Sequence, residues 1–118
     1  MNEIETLFFN KVMSRYDDLM CDIEIQPTIG IYRPDFIIEG SIIEIDGHEY
    51  HKTKEQREND YKRERYFYKK GYTTIRFMGT EVFLDAEKCA NEAIEISQQI
   101  EMDKIEACVA GIKIGRGE

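Results

Sequence analysis

The sequence predicts a small α/β domain, a mixed four-stranded sheet flanked by helices in the order α-β-β-β-α-β-α. Three observations carry that prediction. Segments near each end and one in the middle have helical periodicity. Two apolar stretches, 34–38 and 42–46, flank Glu39-Gly40-Ser41 as a hairpin would. A short run of β-formers, TTIRFM, follows Gly71. A chain of 118 residues fits one domain, here 1–118, with a core over 3–101 and a tail over 102–118. It contains no repeats, low-complexity tracts or internal linker.

Each element has a local reason. Residues 3–19 place Ile4, Leu7, Phe8, Val12, Met13 and Tyr16 near helical spacing, and Asn2 with Glu5 reads as a capping box. DIEIQPTIGI, 22–31, alternates weakly and holds Pro27 and Gly30, which suits an edge strand and a bend. Gly40-Ser41 reads as a two-residue hairpin loop. A helix over 53–70 starts near Thr53 and stops at Gly71. Thr73–Met78 is a strand ended by Gly79. Over 85–101, Ala86, Cys89, Ala90, Ala93, Ile94, Ser97 and Ile100 trace one stripe of small and apolar residues. ACVAGIKI, from Ala107, reads as a last strand before a frayed GRGE end.

Composition bounds the function. No apolar run approaches the ~18 residues of a membrane span, and MNEIETLFF lacks the basic start of an export signal. Cys21, Cys89 and Cys108 are too few and too scattered for a disulfide framework, so a cytoplasmic location is expected. The net charge of -8 argues at first against a nucleic-acid partner, but it does not say where the charges sit. Between Lys52 and Arg76 there are nine basic residues against four acidic ones, a local excess of five. That segment fits a solvated helix face with pairs such as Glu58 and Lys62. It fits equally a stripe facing phosphates, with Tyr61, Tyr66, Phe67 and Tyr68 set among the cations.

The hairpin carries the chemistry. With Gly40-Ser41 as its loop, Ile38 pairs with Ile43 and Asp35 with Asp46. Phe36, Ile38, Ile43 and Ile45 then share a core face, and Asp35, Glu44 and Asp46 share the other. Like charges directly opposed destabilise a sheet. A hard divalent cation removes the conflict because it takes oxygen ligands, and Mg²⁺ keeps water and leaves room for phosphate oxygens. The alternative is an exposed acidic face that repels weakly in water. In EIDGHEYHK, His48 and His51 follow at the rim, with a side chain whose pKa suits proton transfer near neutrality. A zinc site on these histidines has no nearby cysteine to complete it.

YRPDFII, a turn and IIEIDGHEYH resemble the PD-(D/E)XK nuclease superfamily, and more closely the branch of very-short-patch repair endonucleases. The basic helix, GYTTIRFMGTEV and DAEKCANEA extend the resemblance over about residues 3–100. It implies a restriction-endonuclease-like fold. Asp35 stands at the superfamily's metal-binding aspartate and Glu44 at its acidic residue on the next strand. Asp46 stands where the pattern usually has lysine, a departure that replaces a cation with a third carboxylate. The branch's histidine just past this strand matches His51; its helix acids match Glu5 and Asp60. Glu5 also suits a capping role, and Asp60 an ordinary helix surface.

The resemblance implies hydrolysis of a DNA phosphodiester with Mg²⁺, or Mn²⁺ in its place, by a nuclease of repair, restriction or homing type. Asp35, Glu44 and Asp46 are the candidate metal ligands, and His51, Glu5 and Asp60 complete the candidate catalytic set. Lys52, Lys54, Arg63, Arg65 and Arg76 are the candidate phosphate contacts, arginine because its fork matches phosphate geometry. The alternatives are a DNA-binding module without catalysis and a nuclease acting on RNA. A chain this short carries no separate base-reading module, so specificity calls for a homodimer, a partner protein or recognition of DNA structure.

Overall fold

A computed structural model describes residues 1–19, 22–47 and 52–111. Helix α1 spans Glu3–Met13, followed by a 3₁₀ turn at Tyr16–Asp18. Strands β1 (Glu24–Ile25), β2 (Phe36–Ile38) and β3 (Ser41–Asp46) come next, then α2 (Lys54–Lys69), β4 (Thr73–Met78), α3 (Gly79–Leu84) and α4 (Ala86–Val109). The sheet order is β1-β2-β3-β4, antiparallel across the first two pairs and parallel between β3 and β4. This is the expected mixed four-stranded sheet. Parallel strands need a crossover, and α2 supplies it.

The sheet is covered on both faces. On one, Phe36, Ile38, Ile43 and Phe77 pack with Phe8 and Val12 of α1, Val82 of α3, and Cys89, Ala90, Ala93 and Ile94 of α4. The small stripe of α4 lets it lie close to α1. On the other face Ile37 and Ile42 pack against Phe67 of α2, joined by Tyr32, Tyr66 and Tyr72. That second, smaller core fixes α2 over the acidic side of the hairpin.

Both predicted helix starts hold. Asn2 Oδ1 accepts from the Glu5 amide at 2.8 Å, and the Glu5 carboxylate accepts in return from the Asn2 amide. Thr53 and Gln56 make the same reciprocal pair at the start of α2. Helix α1 ends at Met13, earlier than the predicted 19, because Ser14 Oγ donates to the Lys11 carbonyl and draws the chain into a turn. Tyr16, placed on the apolar stripe by spacing, is exposed.

Three further expectations are corrected. The hairpin loop is Glu39-Gly40, not Gly40-Ser41: Ile38 pairs with Ser41, and Phe36 with Ile43. Both loop residues take positive φ (52° and 81°), the pattern of a type I′ turn, which matches the strand twist. Glutamate is a rare occupant of that position, so the sequence concealed the turn. The slip is two residues, so every side chain keeps its predicted face. Residues 79–84, assigned to no element, form α3 around the fully buried Val82. Residues 107–109, read as the start of a strand, continue α4, where Gln99 donates to Asp103 and Lys104 pairs with Glu101 along the preceding turns. Residues 112–118 of that expected strand and tail, with Cys21, lie outside the described residues. Among the described residues no helix is long and apolar enough to cross a membrane.

Candidate acidic active site

The three hairpin acids, Asp35, Glu44 and Asp46, lie on the α2-facing side of the sheet. Glu44 is buried within β3, Asp46 ends that strand half-buried, and Asp35 immediately precedes β2. Continuing the Phe36–Ile43 register places Asp35 beside Glu44, not beside Asp46 as a Gly40-Ser41 loop implied. Asp35 Oδ2 accepts from the Ile45 amide at 2.7 Å, which ties its carboxylate across the hairpin. Glu5, buried at the start of α1, lies close enough to add its charge to Asp35.

Burial and mutual repulsion raise the proton affinity of this group. Removal from water pushes Glu44 up from 4.5 to about 7, against the pull of Arg63 and with Asp35 adding to the rise. Asp35 moves upward too, chiefly by burial, opposed by its bond from Ile45 and helped by Glu5. Both shifts report negative charge in short supply of compensation.

Part of the compensation comes from the cationic segment. Arg63 on α2 places Nη2 2.7 Å from Glu44 Oε1, and the same nitrogen donates to the Arg33 carbonyl at 3.2 Å. Its guanidinium carbon lies 5.8 Å from the centre of the Tyr32 ring and 5.5 Å from that of Phe67. Arg76 stands beside Glu44 in the parallel register and bridges Asp46 at 3.3 Å and Glu64 at 2.9 Å. Lys52 pairs with Asp60 at 2.6 Å, and that bond is the main cause of its raised proton affinity. Lys52 also feels the charge of Asp46, so Asp60 approaches the site through this lysine. Lys54 and Arg65 are exposed on α2, and among the described residues neither forms an ion pair. His48 and His51 lie outside the described residues.

Of the five candidate phosphate contacts, Lys52, Arg63 and Arg76 first face acids, pairings that sequence reasoning did not name. The signal was present in the spacing: Asp60, Arg63, Glu64 and Phe67 fall at i, i+3, i+4 and i+7, one side of a helix. Tyr32 and the Arg33 carbonyl carried no comparable signal, because only the turn before Asp35 brings them to Arg63.

The donor set of Asp35, Glu44 and Asp46 is all oxygen, which suits a hard cation. Their contacts to Ile45, Arg63 and Arg76 each use one oxygen of a carboxylate. Among the described residues no group of three or more His, Cys, Asp or Glu side chains is arranged to hold a metal ion.

No curated protein matches the chain. The model of the family REase_MTES_1575 matches residues 8–96, a span that runs from the middle of α1 through β4 and most of the way along the apolar stripe of α4. The match thus takes in the whole sheet, its acidic face and the helix that covers it, and the chain belongs to this restriction-endonuclease-like family.

Proposed function

We propose that the protein is a divalent-metal-dependent endonuclease that cuts or nicks DNA, with Asp35, Glu44 and Asp46 as the carboxylates that hold Mg²⁺ or Mn²⁺. The observation that carries this reading is the placement of half-buried Asp35 beside buried Glu44, with the proton affinities of both raised. A fold gains nothing from such a pair unless a cation or a proton occupies it. Family membership supplies the nuclease chemistry, and the resemblance to very-short-patch repair endonucleases narrows it toward DNA.

A divalent ion held by Asp35, Glu44 and Asp46 would lower the pKa of its water and offset charge on the phosphoryl group. The chain's own residues do the rest. Arg76, held by Asp46, puts a guanidinium beside the position where the superfamily pattern has lysine. It offsets charge on the reacting phosphate. Arg63 holds Glu44 and presents a cation at the same face, while Lys52, Lys54 and Arg65 hold the flanking DNA backbone. His51 accepts a proton from the attacking water. Glu5 and Asp60 extend the acidic set from α1 and α2.

The test is a nicking assay on supercoiled plasmid with Mg²⁺ or Mn²⁺, run beside Asp35→Asn. Nicking by the wild type that vanishes in the variant is expected; unchanged nicking by Asp35→Asn overturns the mechanism. One observation favours a second reading, a DNA-binding module without catalysis: Arg63 and Arg76 already engage two of the three carboxylates. That reading predicts salt-sensitive DNA binding and no cleavage with any divalent ion. An RNA substrate run in parallel separates a ribonuclease from both. Specificity, on any of these readings, comes from a homodimer, a partner protein or recognition of DNA structure.

A further inference from the structure

Strand β4 is an edge of the sheet, and between it and α2 lies an open groove of about 510 Å³. Its walls combine two tyrosine rings, Tyr68 and Tyr72, with two cations, Arg65 and Lys69. Tyr68 is 57% exposed. Among the described residues neither cation forms an ion pair, unlike Lys52, Arg63 and Arg76. Thr74 also lines it, and among the described residues its buried Oγ1 has no hydrogen-bond partner.

The groove is continuous with the acidic site. Glu64 lines it and binds Arg76 Nη2 at 2.9 Å, and Arg76 Nη1 reaches Asp46. Thr74 and Arg76 point to the same face of β4, two residues or about 6.6 Å apart. A DNA strand whose phosphate lies at Arg76 therefore leads its neighbouring nucleotide toward the groove.

We propose that this groove receives an unpaired DNA nucleotide flanking the cleaved phosphate, its base stacked on Tyr68 and its phosphate held by Arg65 and Lys69. The assignment of DNA rests on the nuclease reading above. An aromatic ring beside unpaired cations is the pattern by which proteins hold single strands, since every base has a stacking face. A base paired and stacked within a duplex offers no free face, so the groove selects overhangs or flaps over continuous or blunt-ended duplex.

The test measures fluorescence anisotropy of Asp35→Asn protein in EDTA with a blunt duplex and with the same duplex carrying a short single-stranded overhang. About ten-fold tighter binding to the overhang is expected. Tyr68→Ala in that background should erase the difference, Tyr68→Trp should keep it, and the double change Arg65→Ala, Lys69→Ala should weaken overhang binding most at low salt. An overhang preference absent from the Asp35→Asn protein, or retained by Tyr68→Ala, overturns the proposal. Nicking by the wild type with no overhang preference overturns the groove alone. A Tyr68-dependent preference without any nicking upholds the groove and overturns the nuclease reading instead.

Discussion

Arg63 donates to Glu44 across 2.7 Å while its guanidinium lies against the ring of Phe67. This one side chain joins the second core to the acidic face, because Phe67 belongs to the packing and Glu44 to the site. The pair is largely shielded, with 31% and 11% of the two side chains exposed. Removing one partner of such a pair costs more than the pair itself gains, since the other is left desolvated.

Arg63→Met should therefore destabilise the fold by about 2 kcal/mol at about pH 8 and by clearly less at about pH 5, where Glu44 can take up a proton instead. Urea unfolding at the two pH values measures the difference. Equal losses at both would mean that Arg63 acts through packing alone. Loss of Arg63 should also raise the midpoint of Glu44 above its present value of about 7, read by carboxyl NMR.

Glu44 makes the metal-free fold less stable as the pH rises. Its ordinary pKa is 4.5 and its folded value about 7, so the folded chain holds the proton more tightly than the unfolded one. Stability from this group is full below about pH 4.5, falls as pH rises to about 7, and is then level. At about 1.4 kcal/mol per unit the loss is on the order of 3 kcal/mol. Asp35 shifts in the same direction. The Tm in EDTA should fall between about pH 5 and pH 8 in the wild type and much less in Glu44→Gln. Mg²⁺ should raise the Tm of the wild type at about pH 8 and leave that of Glu44→Gln unmoved.

Asp35 has a structural duty beside its proposed chemical one. Its Oδ2 accepts from the Ile45 amide, so Asp35→Ala should cost about 1–3 kcal/mol by orphaning that donor. Asp35→Asn keeps an acceptor and should cost much less. Thermal melts of the two variants check this, and an equal cost would mean that the bond contributes nothing.

The sequence made most of the fold legible because periodicity and turn residues dominate it. Strand β4, the Asn2–Glu5 capping box and the start of α2 at Thr53 stand where the sequence put them, and the two faces of the hairpin survived a wrong loop because a two-residue slip preserves parity. The loop itself was hidden by Glu39, which occupies a left-handed backbone without being one of the residues that favour it. Helix α3 was hidden by its length, too short for a period to show. In the site, local alternation displayed the acids, whereas the pairing of Arg63 with Glu44 and Arg76 with Asp46 joins α2 and β4 to β3. Such contacts depend on the crossover, about which no local pattern speaks.

Gly30 supports the second core from outside. It takes φ +61°, and a Cβ built there would overlap the Tyr66 hydroxyl. Gly30→Ala should cost about 2 kcal/mol, combining left-handed strain with displacement of Tyr66. Because Tyr66 packs on Tyr32 and Phe67, which flank Arg63, nicking should fall with stability. Chemical denaturation and the plasmid assay, run on one preparation, read both.

The parallel pairing of β3 with β4 also sets an order of assembly. The β2–β3 hairpin closes through a two-residue loop, whereas Arg76 lies thirty residues beyond Asp46 and needs the α2 crossover in place to reach it. Short loops close first because less chain entropy is lost. During folding the carboxylates are thus gathered before their guanidinium partners arrive. Their repulsion works against the early hairpin and is relieved only as α2 docks. The last contacts to form are those that make the acidic face tolerable, so low pH, high salt or a divalent ion should speed folding by easing the step at which the chain is most at odds with itself.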